Sequence, residues 1–154
     1  TCSMDGTGSL FNYFRTGGDY ENVCNNIREI APLVNNFLFV CTTSAYHAFY
    51  MNEIYHDLRK LQDSIKTKST IRTTFVHYPK VLDVRNLDED VKLKILQDLE
   101  INNFTKEFSK RISMEPELGQ WDKGSFKELV NTQDKLYNKS CQEMAPKIWE
   151  YVCS

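Results

Sequence analysis

The chain has 154 residues, 26% of them charged, and a formal net charge of -2 at pH 7. That length suits one ordinary domain with a real core, and the near-neutral balance speaks against a strongly basic nucleic-acid surface. No apolar run approaches the ~20 residues of a membrane-spanning helix, and the N-terminus lacks the basic and apolar regions of a signal peptide.

Residues 1–3 read either as the tail of a strand or as a remnant ahead of a start at Met4. Residues 5–18, rich in Gly, Thr, Ser and Asn, read as a loop with a short helical turn around Leu10–Phe14. Asp19 is placed to cap a helix from Tyr20 to about Ala31, with Val23, Ile27 and Ile30 on one face. Phe37–Cys41 is uniformly apolar, as a strand covered on both faces would be, and it ends in Thr42-Thr43-Ser44. Met51, Ile54, Tyr55, Leu58 and Leu61 form the stripe of the next helix. Ser69–His77 is rich in β-branched residues and reads as a further strand, ended by Tyr78-Pro79.

The remainder reads as helix. Leu87-Asp88 introduces a helix from about Glu89 to Ile101, with Val91, Ile95 and Leu99 inward. Asn103 is placed to cap a helix carrying Phe104, Phe108 and Ile112. Pro116, Gly119 and Gly124 make a break, after which Ser125 caps a long helix carrying Phe126, Leu129, Val130, Leu136 and Tyr137. A last helix runs from about Gln142 to Val152, with Pro146 in its first turn or kinking it. Trp121 and Trp149 suit core or interface anchors.

Ser3 and Asp5 close the first strand, where α/β folds bind ligands; turn chemistry at Asp5-Gly6 is the plainer alternative. Arg15 suits a bidentate carboxylate clamp or a salt bridge to Asp19 or Glu21. Thr42, Thr43, Ser44 and Tyr46 line a second strand end, or else cap the helix after it. Neither His47 nor His77 has a partner carboxylate fixed by spacing, so no catalytic residue is assigned. Gly6, Gly8, Gly17 and Gly18 form no GxGxxG phosphate loop and are expected to supply positive φ angles. Five cysteines at irregular spacing make a poor disulfide framework. Cys24 and Cys41 are expected as buried free thiols in a reducing cytoplasm. No CxxC, CxxxCxxC or paired-histidine motif offers a metal site.

These residues fall in an order that resembles the middle and end of radical S-adenosylmethionine (radical SAM) proteins. Ser3-Met4-Asp5-Gly6 is similar to the Ser-x-Asp-Gly motif that ends the fourth strand of that family. Arg15 and the run Gly17-Gly18-Asp19-Tyr20 … Val23 … Asn26-Ile27 resemble the arginine and "GGDF..V..NI" helix that follow. Thr42-Thr43-Ser44-Ala45-Tyr46 is similar to the next strand end, with His47 in place of the usual asparagine. His77-Tyr78-Pro79 through Leu87 resembles the sixth strand and the segment after it. Thr132-Gln133-Asp134-Lys135 … Asn138-Lys139-Ser140 … Ala145-Pro146 is similar to the closing helices of phage-type members, with Lys139 where that pattern has arginine.

The resemblance implies an α/β fold: a partial (βα) barrel of about three parallel strands over residues 1–86, with residues 87–154 as a helical C-terminal extension packed on it. It implies cofactor contacts from Ser3, Asp5, Arg15, Thr43, Ser44 and His77 along one rim. The iron–sulfur motif of the family lies after its first strand, and this chain enters at the fourth. The chain is therefore expected to bind S-adenosylmethionine weakly if at all, and not to act as an enzyme alone. Two readings stay open: the cofactor-distal half of a radical SAM-like protein, or a truncated viral protein that binds or inhibits a host factor. The expected partners are a second copy of the chain or the missing N-terminal half, with neither a membrane nor, on the charge balance, a nucleic acid among them.

Overall fold

Three strands alternate with helices over the first half of the chain, and helices fill the second half. The computed structural model describes residues 1–116 and 123–153. In chain order these are β1 (Cys2–Met4), α1 (Gly8–Phe14), α2 (Tyr20–Ile30), β2 (Asn36–Thr43), α3 (Met51–Ser64) and β3 (Lys68–Phe75). They are followed by α4 (Glu89–Asp98), α5 (Thr105–Ile112), α6 (Lys123–Tyr137), α7 (Cys141–Met144) and α8 (Pro146–Cys153). Gly119 and Trp121 lie outside the described residues.

The sheet is parallel and open, in the order β1-β2-β3. Its register sets Ser3 beside Val40 and Val40 beside Arg72, and Met4 beside Cys41 and Cys41 beside Thr73. Paired residues point to the same side, so the sheet has two distinct faces. On one face Met4, Phe37, Phe39, Cys41 and Thr43 are buried, and Ile71 and Phe75 pack against the same core. On the other, Ser3, Thr70, Arg72 and Thr74 are exposed, and Leu38, Val40 and Thr42 are only half-buried.

This corrects the expectation that β2 is covered on both faces. The burial alternates along β2 and β3 with the two-residue period of a one-sided sheet. Leu38 and Val40 are apolar, and this is what disguised the alternation.

The helices largely follow the sequence. The Asp19 carboxylate accepts from the Asn22 amide at 3.2 Å and starts α2. The buried face of α2 is Tyr20, Cys24 and Ile27; Ile30 is 52% exposed, not inward. Met51, Ile54, Leu58 and Leu61 bury the inner face of α3. The cap ahead of α5 is Asn102, not Asn103: its Oδ1 accepts from the Phe104 and Thr105 amides at 2.9 and 3.0 Å. α6 is already helical at Lys123, so Ser125 is within it, and Leu136 and Tyr137 at its far end are exposed. The closing helix is broken at Ala145, because Pro146 cannot donate into the preceding turn.

Glycine is needed at two adjacent positions for different reasons. Gly17 has φ of 74°, the left-handed region. Gly18 has an ordinary φ, but a Cβ there would lie 2.7 Å from the Arg15 Cβ and 3.0 Å from the Arg15 carbonyl oxygen.

The C-terminal helices are stitched to α1 by buried polar bonds. The Tyr13 hydroxyl donates to Asp134 Oδ1 at 2.8 Å, and the Cys141 amide donates to the same carboxylate at 3.0 Å. Lys139 Nζ donates to the Asn12 and Tyr13 carbonyls at the end of α1, where a cation complements the helix dipole. Tyr13 is fully buried, so removing its acceptor leaves a hydroxyl without water. Asp134→Ala is expected to lower the unfolding free energy by about 1–3 kcal/mol. Asp134→Asn, which keeps an oxygen acceptor, loses less. Urea titration of the two variants checks the order.

Candidate functional site

All three strands run in one direction, so their C-terminal ends share one rim. Asp5 follows β1, Ser44 follows β2, and His77 lies two residues beyond β3. The pairing continues past the strand ends: the Val76 amide donates to the Thr43 carbonyl at 2.9 Å, and the Ala45 amide to the Leu82 carbonyl at 2.8 Å. The segment after β3 thus folds back onto the end of β2.

The rim residues form three groups. In the first, Arg15 Nε pairs with Asp5 Oδ2 at 2.6 Å. Asp5 is the partner of Arg15, rather than Asp19 or Glu21. The pair is partly exposed, so its guanidinium meets an incoming carboxylate only in competition with Asp5.

In the second, Ser44 and His47 are both buried. His47 Nδ1 accepts from the Ser44 amide at 3.1 Å and lies 2.8 Å from Ser44 Oγ. The amide can only donate, so the ring proton is on Nε2. That nitrogen is buried with no hydrogen-bond partner, as is the Tyr46 hydroxyl. Burial pushes the His47 pKa down to about 4. The Asp5 backbone and carboxylate approach the ring and oppose the shift, but no well-aligned hydrogen bond reaches Nε2. A neutral, enclosed imidazole orders the turn after β2 through Ser44.

In the third, Asp83 is buried between two arginines. Arg85 holds it from Nε and from the terminal nitrogen at 2.6 Å, and Arg111 reaches it at 3.1 Å. His77 Nδ1 lies 3.5 Å from the same carboxylate. Burial alone would raise the Asp83 pKa, but the Arg85 hydrogen bonds and the Arg111 charge outweigh it and hold it at about 2. The Asp83–Arg85 pair is local, two residues apart, and Asp83 also accepts from the Arg85 amide at 3.0 Å. Nothing in the sequence pointed to Arg111, which comes from α5.

The six residues expected to share a cofactor rim therefore differ in what they offer. Ser3 is exposed on the open face, beside Val40 and Arg72 in register. Asp5 and Arg15 face each other. Thr43 is fully buried on the opposite, helix-covered face, with Oγ1 2.8 Å from Thr73 Oγ1. Ser44 is committed to His47, and His77 to Arg111 and Asp83.

Among the described residues no group of three or more His, Cys, Asp or Glu side chains is placed to hold a metal. Of the polar groups expected to hold S-adenosylmethionine, Asp5 and Arg15 pair with each other, and Thr43, Ser44 and His77 are engaged by residues outside that set. No family model, curated protein or solved structure matches the chain.

The buried His47 has a pH signature. Its pKa is lowered from 6.5 to about 4, so its contribution to stability is full above pH 6.5 and is lost as pH falls toward 4. That difference corresponds to roughly 3 kcal/mol. Asp83 acts lower, its contribution being lost only between pH 3.8 and about 2. His47→Gln is expected to flatten the dependence of unfolding free energy on pH between about 6.5 and 4. Urea titrations across that window check it; an unchanged slope would show that His47 is not the titrating group.

Proposed function

We propose that this chain is a half-barrel, the cofactor-distal portion of a radical SAM-like protein, and that it is not catalytic alone. The observation that carries the reading is the one-sided sheet: parallel strands in sequential order, helices on one face, and the other face open. In a closed barrel that open face would be the lumen. Ser3 and Arg72 project from it, and Asp5, Arg15 and His77 stand on the rim above the strand ends. The order of the motifs along the chain supports the same lineage. With the cluster-binding half elsewhere, this portion supplies contacts to the far side of a bound ligand and the walls around it.

A second reading is an interaction module. It is favoured by the charge of the open face, where Lys68 and Arg72 accompany Thr70, Thr74, Leu38 and Val40 and no carboxylate stands in the strands. Such a face suits an acidic partner surface with apolar side chains to cover Leu38 and Val40. Among the described residues β1 and β3 are also the edges of the sheet, and edges template pairing with another strand.

Calorimetry with S-adenosylmethionine tests the first reading. The isolated chain is expected to bind no tighter than about 1 mM, a few kcal/mol of binding at most. Micromolar affinity would show a self-sufficient site and overturn it. The reading frame upstream separates the two readings: an in-frame CxxxCxxC decides for the enzyme half, and its absence for the module.

The edges lead to a further expectation, a homodimer at low micromolar concentration. Lys68 and Arg72 repel their own copies face to face, so the contact is expected at a strand edge. Light scattering that returns a monomer at that concentration removes edge pairing from the account.

A further inference from the structure

α4 is fastened at its two ends, and a cavity lies along its inner face. At its start the Tyr151 hydroxyl donates to Asp88 Oδ2 at 2.9 Å. At its finish Asn52 donates from Nδ2 to the Asp98 carbonyl at 2.8 Å and accepts from the Glu100 amide at 3.0 Å. Between these fastenings is a cavity of about 710 Å³, bounded by α4, the start of α3 and α8. Its apolar wall is Phe49, Met51, Val91, Ile95, Leu99 and Tyr151. Val91, Ile95 and Leu99, the inward stripe read from the sequence, pack against the core but are only half-buried, and all three line the cavity. None of the strand-end residues discussed above lines it.

The mouth of the cavity is acidic. Glu53, Asp90, Asp98 and Glu150 line it with Lys94 and Lys147. Glu53 is engaged by Lys147, whose ammonium also donates to the Phe49 carbonyl at 3.2 Å. That leaves three carboxylates against one ammonium. Asp98 is also the last residue of α4, where a carboxylate opposes the helix dipole. A cation at the mouth would relieve both.

We propose that the cavity under α4 is a binding site for a hydrophobic amine: an aromatic or alkyl body seated on Val91, Ile95 and Met51, and an ammonium held by Asp98 and Glu150. The volume matches one small organic molecule, and an apolar wall with a few convergent charges is the usual build of such sites. One face of the Tyr151 ring carries the Lys123 ammonium at 5.0 Å, so charge recognition falls to the carboxylates rather than to that ring.

Three indole probes of similar shape test it: tryptamine (cationic), 3-ethylindole (neutral) and indole-3-propionate (anionic). Each is titrated into the full chain and followed by amide chemical shifts. Tryptamine is expected to shift the amides of residues 91–95 and 147–151 saturably, and to bind at least about tenfold tighter than the anionic probe. Asp98→Asn with Glu150→Gln, both at exposed positions, is expected to remove most of that preference while leaving the neutral probe unchanged. Val91→Phe, which intrudes on the seat of the apolar body, is expected to weaken binding of all three. Equal binding of cation and anion, shifts mapping to another region, or no saturable shift at several millimolar each overturn the proposal. The surface double variant keeps the test decisive if Val91→Phe does not fold.

Discussion

The connection rule for parallel strands shapes this molecule. Neighbouring parallel strands cannot be joined by a hairpin, so each connection must cross over the sheet. When the strands follow in the order β1-β2-β3 and the crossovers share one hand, both land on the same face. α1 and α2 bridge the first pair of strands and α3 the second, and the C-terminal helices add to that layer. The core is therefore confined to one side, between the sheet and its helices. The other side is left with Ser3, Val40 and Arg72 in a row.

A sheet of three strands is narrow, and the second half of the chain compensates. α6, α7 and α8 close the end of the core over α1 and the start of α3. Phe126, Val130, Ile148 and Tyr151 supply apolar bulk there, with Tyr46 against Phe126 at 4.7 Å between ring centroids. Asp134 and Lys139 fix the register of that contact, because each bonds backbone or hydroxyl groups that the contact partly buries. Arg111 does the same from α5, bridging the segment after β3 through Asp83 and lying over the Phe75 ring at 5.7 Å. The strand-end rim is held by ion pairs and buried hydrogen bonds between elements distant in sequence. Its polar residues are consequently more occupied with one another than a list of strand-end residues suggests.

α4 is the exception to this dense packing. It is amphipathic only weakly; its most buried residue is Lys92, paired with Glu89, and Leu93 faces solvent. A helix held by end fastenings rather than by a continuous apolar face leaves space beneath it.

Elements whose cause is local were legible from the residues alone. Asp19 started α2, the 3.6-residue stripe of Met51, Ile54, Leu58 and Leu61 defined α3, and the β-branched run from Ser69 marked β3. Cys24 and Cys41 were recognisable as buried because they lie among apolar neighbours at the right period, and both are free thiols. The parallel sheet was expected from the resemblance, whose motifs alternate strand, helix and strand, and the three strands are parallel. Tertiary structure decided the rest. Whether Leu38 and Val40 are covered depends on which side the crossovers take, and an apolar side chain reads the same on an open face as in a core. Thr43 looked like a rim residue, but the pleat turns it into the core against Thr73. Arg15 chose Asp5 over its sequence neighbours, and Asp83 drew in Arg111, because ion pairs form where the fold brings charges together, and sequence separation has no part in that distance.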